Sequence, residues 1–307
     1  MGADLGHGPG KPQDIELWSN RRLIHPLSRR LAAGLSRTPV TPNMVSVAGA
    51  GAAAVAAACY ASLGYPWSVA AGFLAHVAWH VLDGADGDLA RRTGRSSPTG
   101  ELVDGLCDYA GQAILYAALA FVLASTFGPW AWPLALASGL ARAVQANSYE
   151  SRRREYQYWA YGRSWIRQTL SGAGGSPRGG LAALARLYLA LSSRVAQTDP
   201  ALQARLEADL GHGGDAASRA RALYRVHQRR AIAAAAPLSA NARTIALGLS
   251  MAAGSPLYYF VYETVGLSLV LLWSLRVQRR ADAALLQALA AEDDASAPGV
   301  ALRAAGG

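Results

Sequence analysis

From Thr38 to Leu82 the chain runs 45 residues without a Lys, Arg, Asp or Glu. The surface of a soluble domain rarely leaves such a stretch uncharged. It is long enough for two membrane helices with a turn between them. Apolar residues make up 52% of the chain and charged residues 16%, which excludes a disordered chain and fits poorly with a charged soluble surface. The sequence therefore reads as an integral membrane protein. Its net charge of +9 comes from 28 Arg and one Lys against 20 acids. Beside these apolar runs, the excess points to loops facing anionic lipid and not to nucleic acid. Cys59 and Cys107 both fall in apolar helices, so no disulfide framework is expected. The first 37 residues lack the apolar core and small-residue cleavage site of a signal peptide.

Charge then divides the chain. Residues 1–14 read as a disordered tail and 15–37 as an interfacial amphipathic helix. In that helix Leu27, Leu31 and Leu35 share a face, Arg29, Arg30 and Arg37 flank it, and Pro26 suits its first turn. Six apolar segments follow: Met44–Leu63, Trp67–Leu82, Leu102–Thr126, Trp130–Asn147, Pro237–Ala253 and Leu257–Leu275. Their short, uncharged connections alternate with Arg-rich ones, and the positive-inside rule puts the Arg-rich side in the cytoplasm. The expected fold is all-α and integral to the inner membrane. It has six transmembrane helices, an N-terminal interfacial helix and a helical cytoplasmic insert between helices four and five. The organisation is 38–147 for helices one to four, 148–236 for the Arg-rich insert, 237–275 for helices five and six, and 276–307 for a cytoplasmic tail. Within the insert, Ser171–Gly180 reads as a flexible linker and Leu181–Ala196 as an interfacial or packed helix.

Six of the 20 acids fall between Asp83 and Asp108, at the junction of helices two and three. Carboxylates at the rim of a bilayer are costly unless paired or bound to metal. Asp83 and Asp86 share one helical face, and Asp104 and Asp108 share another. Ser96-Ser97-Pro98 between them reads as a helix stop and restart with Ser97 as N-cap. An antiparallel pair would gather the four Asp, which cannot all stay ionised without cations. Two divalent ions would neutralise them, and oxygen ligands alone suit Mg²⁺ or Mn²⁺ better than Zn²⁺. Gly87, Ala90 and Gly100 are small residues at the same junction, and Arg91 is a natural phosphate partner.

The run Asp83-x2-Asp86-Gly87-x2-Ala90-Arg91-x8-Gly100-x3-Asp104-x3-Asp108 resembles the signature of the CDP-alcohol phosphotransferases (CDP-alcohol phosphatidyltransferases) at all eight fixed positions. Thr41-Pro42-Asn43 resembles the start of that family's first helix. The resemblance covers Thr41 to Asn147. It implies a six-helix membrane enzyme, a homodimer with its site open to the cytoplasm, which makes phospholipid by moving a substituted phosphate from a CDP-linked donor to an acceptor alcohol and releasing CMP. It further implies that Asp83, Asp86, Asp104 and Asp108 hold two metal ions and that Asp108 is also the general base. Gly87, Ala90, Arg91 and Gly100 would form the CDP pocket, with Asn43 as a further contact; Arg142, read from its own place inside an apolar helix, is a candidate contact to a substrate phosphate or the acceptor. The stretch Ala90–Leu102 looks like the choline/ethanolamine branch, which takes a soluble CDP-amino-alcohol and a lipid acceptor. Its usual His after the third Asp is Gly105 here, and the reading favours CDP-diacylglycerol as donor.

Other readings carry less. Asp83–Asp88 departs from a calcium loop at Ala85, Gly87 and Gly94. His76, His80 and Asp83 share a face but have no further ligand motif, so the histidines read as packed or hydrogen-bonded. The aromatic and Arg residues of Tyr149–Trp165 fit an interfacial belt. Arg142 inside an apolar helix needs an anion. A cation transporter would need acids spread across the bilayer, and an inactive scaffold would not keep all four Asp.

Overall fold

The computed structural model describes residues 14–62, 64–162 and 199–296, with side chains as far as Glu292. The expected tail before Asp14, the Ser171–Gly180 linker, the Leu181–Ala196 helix and the chain beyond residue 296 lie outside the described residues. All described regular structure is helical. The elements are a π-helical turn at Asn20–Ile24, α1 (His25–Leu35), α2 (Pro42–Ala61), α3 (Ser68–Thr93), α4 (Pro98–Phe127) and α5 (Ala131–Tyr161). There follow α6 (Pro200–His212), α7 (Gly214–Ala235), α8 (Ala240–Ala252), α9 (Leu257–Val261), a π-helical turn at Tyr262–Gly266, and α10 (Leu267–Ser296). They fall into two units: Met1–Arg142 with Ser239–Gly266, and Ala143–Leu238 with Leu267–Gly307.

In the first unit the helix boundaries follow capping chemistry. The Thr41 side chain accepts from the Met44 N–H at 3.3 Å, with Pro42 opening α2. Ser97 accepts from the Gly100 N–H at 3.0 Å, with Pro98 opening α4, as its sequence predicts. Helix α3 ends at Gly94, whose φ of 65° is the left-handed conformation that costs glycine least. There the Arg95 N–H closes onto the Ala90 carbonyl at 2.9 Å.

Small residues let the helices approach. Ala53, Ala56, Ala57 and Tyr60 of α2 pack with Trp79 of α3, with Leu115, Tyr116, Leu119 and Leu123 of α4, and with Leu247 and Met251 of α8. A Cβ on Gly111 would stand 2.9 Å from the Ala53 Cβ, and one on Gly248 would stand 2.7 Å from Phe73. Between helices in lipid the driving force is this close packing, because lipid tails are as apolar as leucine. Helix α1 is set by Ser28, whose Oγ donates to the Val81 carbonyl at 2.8 Å. A Cβ on Gly84 would lie 2.7 Å from that oxygen, so the small residue makes room for the contact.

The second unit has a polar seam between α7 and α10. Gln228 and Gln278 both donate to Asp282 Oδ1, at 2.7 and 2.8 Å. Arg152 of α5 donates to Ser274 Oγ at 3.2 Å. Leu202 and Leu206 of α6 and Leu285 and Leu289 of α10 are buried in the same unit.

Among the described residues, three stretches are long and apolar enough to cross a membrane: Pro42–Ala61, Pro98–Tyr161 and Leu257–Glu292. The second breaks at the 3₁₀ turn Gly128–Trp130 into α4 and α5. The expected segment Trp67–Leu82 begins at the N-cap of α3 and runs on within that helix, which also carries His76, His80 and the first acids. The expected segment Pro237–Ala253 opens in a 3₁₀ turn, and its helix α8 has 13 residues. Several helices outrun their apolar segments: α3 continues through the acidic motif to Thr93, and α5 continues from Asn147 to Tyr161. Hydropathy marks where the chain turns polar, and a helix need not stop there.

Candidate active site

The acidic motif lies on the adjoining ends of α3 and α4. Its loop, residues 94–97, is short, and both helices pack against α2. Asp83, Asp104 and Asp108 each place a carboxylate oxygen within 4.8 Å of the others. Asp86, 5% exposed, accepts from Ser46 Oγ of α2 at 2.6 Å and also meets Asp104. All four predicted Asp therefore converge. Asp108 Oδ1 accepts from Trp79 Nε1 at 3.2 Å. Neighbouring like charges disfavour ionisation, which opposite charge or a shared proton relieves.

The predicted residues Gly87, Ala90, Arg91 and Gly100 lie on the same ends of α3 and α4 as this cluster. Arg91 pairs with Asp88 and lies against Gly87, where a Cβ would meet Nη1 at 3.4 Å. Asn43 stands at the start of α2 beside Gly100, where a Cβ would lie 3.5 Å from the Asn43 Oδ1. Both glycines thus leave backbone exposed beside polar side chains, which permits close approach of a ligand. Ala90 carries the carbonyl that closes the end of α3. Arg142 lies within electrostatic reach of Asp108, His76 and His80.

Sequence reasoning missed a second polar centre in the same unit. Glu263, fully buried in the π-helical turn, accepts from Tyr116, from Ser138 at 2.6 Å and from Tyr259 at 2.9 Å. Arg243 and Arg142 approach its Oε1 at 3.4 and 3.6 Å. The signal was available: a single acid in the apolar run from Leu257 to Leu275, where an ionisable residue is costly without partners. His76 and His80 also have a partner the sequence did not name, Thr244 Oγ1 at 3.3 and 2.7 Å. They are hydrogen-bonded histidines, as expected.

Residues 39–166 match the family model described as CDP-alcohol phosphatidyltransferase. Over that stretch, 128 of the 307 residues, the chain is similar to a CDP-alcohol phosphatidyltransferase domain. Members of this family are transferases of substituted phosphate groups, and they act in the membrane on a CDP-alcohol donor and an alcohol acceptor. The match contains all eight motif positions together with Asn43 and Arg142; Arg243, Thr244 and Glu263 lie beyond it. No curated protein matches the chain.

The family generally uses divalent metals, and the donor set suits them. Ligand oxygens bound to Mg²⁺ at about 2.1 Å stand at most about 4.2 Å apart. Oxygens already within 4.8 Å of one another need only small side-chain adjustments to reach that spacing. The donors are carboxylate oxygens, the hard ligands that Mg²⁺ and Mn²⁺ prefer.

Proposed function

We propose that this chain transfers a substituted phosphate from CDP-diacylglycerol to an acceptor alcohol and releases CMP, in phospholipid synthesis at the cytoplasmic face of the inner membrane. The observation that carries the reading is the convergence of Asp83, Asp104 and Asp108, with Asp86 held beside them by Ser46.

In this reading the four Asp hold two ions, Mg²⁺ or Mn²⁺. Bound divalent ions would neutralise the carboxylates and stabilise charge on the transferred phosphate and on departing CMP. The chain's own residues do the rest. Arg91, beside Gly87, binds a donor phosphate. Gly87, Ala90 and Gly100 give the nucleotide room, and Asn43 borders the Gly100 side. Arg142, with donors to spare beyond its contact with Glu263, takes an anionic oxygen of a substrate. Asp108 accepts the proton of the acceptor hydroxyl as its oxygen bonds to phosphorus and the bond from phosphorus to the CMP oxygen breaks. Phosphoryl transfer asks chiefly for this positioning and charge neutralisation.

The proposed topology has six spans, formed by α2, α3, α4, α5, α8 and α9–α10. Helix α1 lies at the interface, the insert 148–236 and both termini are cytoplasmic, and the working form is a homodimer. The choline/ethanolamine-like alternative, with a soluble CDP-amino-alcohol as donor, has the Ala90–Leu102 stretch in its favour.

A donor panel tests the reading. Purified protein in lipid nanodiscs should release CMP from CDP-diacylglycerol, with Mg²⁺ present and candidate acceptors supplied. Release from CDP-choline or CDP-ethanolamine and diacylglycerol would transfer the assignment to the other branch. Inertness toward every donor under all metal conditions would refute the enzyme.

A further inference from the structure

Trp79 stands one helical turn before Asp83 on α3 and is 5% exposed. Its ring fills a slot that two other helices leave open. A Cβ on Gly49 of α2 would lie 3.4 Å from its Cδ1, and one on Gly111 of α4 would lie 3.2 Å from its Cζ2. The rings of His76 and His80 lie against it with centroids 5.6 and 5.8 Å away and interplanar angles of 22° and 8°. Both histidines are held in turn by Thr244 of α8. Four helices thus fix the plane of one indole, and that plane aims its N–H at Asp108 Oδ1, 3.2 Å away.

We propose that Trp79 is a positioning residue, which sets the orientation of the Asp108 carboxylate for metal binding and transfer. The proposal rests on the reading of Asp108 as a metal ligand and base. A buried indole N–H needs an acceptor, and this alone would explain a hydrogen bond to some oxygen. The surroundings go further. The terminal torsion of an Asp is broad and two-fold, so nothing within Asp108 selects the plane of its carboxylate. A single N–H held by packing does select it. Because that bond uses one oxygen, Oδ2 and the remaining lone pairs stay available to a cation or a hydroxyl. Gly111 has the same logic, since a Cβ there would crowd both Ala53 and the indole, while one on Gly49 would already be in contact with the ring.

Partners that orient metal ligands typically change metal affinity or activity 10–100-fold when removed. The test is Mn²⁺ binding to the full chain in lipid nanodiscs, followed by electron paramagnetic resonance. Trp79→Phe keeps an aromatic ring and loses the donor; it should weaken Mn²⁺ binding about 10–100-fold. Asp108→Asn should weaken binding too, and adding Trp79→Phe to it should then cost less than about 3-fold, because coupled residues are non-additive. Replacing the indole N–H by sulfur, as benzothienylalanine, keeps the ring's shape and should reproduce the Phe effect even if Phe underfills the slot. Full-strength binding in the sulfur variant, or effects that multiply in the double variant, would overturn the proposal and leave the metal reading intact. A wild-type protein that binds no Mn²⁺ would overturn both.

Discussion

Replacing Glu263 with Gln should destabilise the first unit by about 3 kcal/mol, the low end for removing one partner of a buried ion pair. Gln keeps the volume of Glu and one carbonyl oxygen. The three hydroxyls around it, on Tyr116, Ser138 and Tyr259, can rotate to donate or accept. The guanidiniums of Arg142 and Arg243 have donors only, and Arg243 is 1% exposed, so the loss falls on them. At about 2–4 °C per kcal/mol for a unit of this size, Tm should drop by roughly 6–12 °C in nanodiscs. Arg243→Met in the same chain removes one stranded cation. The double variant should therefore be more stable than the two single effects predict, by more than about 1 kcal/mol. A Glu263→Gln protein melting within about 1 °C of wild type would refute the ion-pair account. So would effects of the two changes that simply add.

Ser46→Ala removes a 2.6 Å hydrogen bond to Asp86 and should weaken Mn²⁺ binding on the order of 10-fold without moving Tm by more than a few degrees. Asp108→Asn should keep CDP-donor binding and lose about 10²–10⁴-fold in CMP release, the usual worth of a positioned base. Arg91→Ala should show the reverse emphasis, with weakened donor binding seen in a titration. Reporter tags at both termini and at residue 175 should register cytoplasm, and a tag near Gly128 the opposite side; a C-terminus outside would refute the span count.

The acidic site was legible because its chemistry is local. Asp83, Asp86, Asp104 and Asp108 occupy two helical faces joined by a short loop, and spacing alone brings each pair to one side. The caps were legible for the same reason: Thr41 with Pro42, and Ser97 with Pro98, are complete within four residues. Glu263 was not, because its partners come from α4, α5 and α8, and no sequence spacing relates Tyr116, Ser138 and Arg243. Trp79 was hidden by its ordinary appearance: an aromatic residue on an apolar helix is usually packing. Its slot exists only where Gly49 and Gly111 meet on either side. The ends of α3 and α5 were missed because both stay helical where the chain turns polar, and hydropathy reports solvent preference and not backbone conformation.

Metal dependence tests the central claim most directly. Protein purified in lipid, stripped with chelator and supplied with CDP-diacylglycerol and an acceptor alcohol should release no CMP. Adding Mg²⁺ or Mn²⁺ should restore release, and Asp83→Asn and Asp104→Asn should stay inactive at any metal concentration while remaining folded. Full activity in excess chelator, or normal turnover in either variant, would contradict the assignment of the four Asp as the metal-holding centre of the transfer reaction.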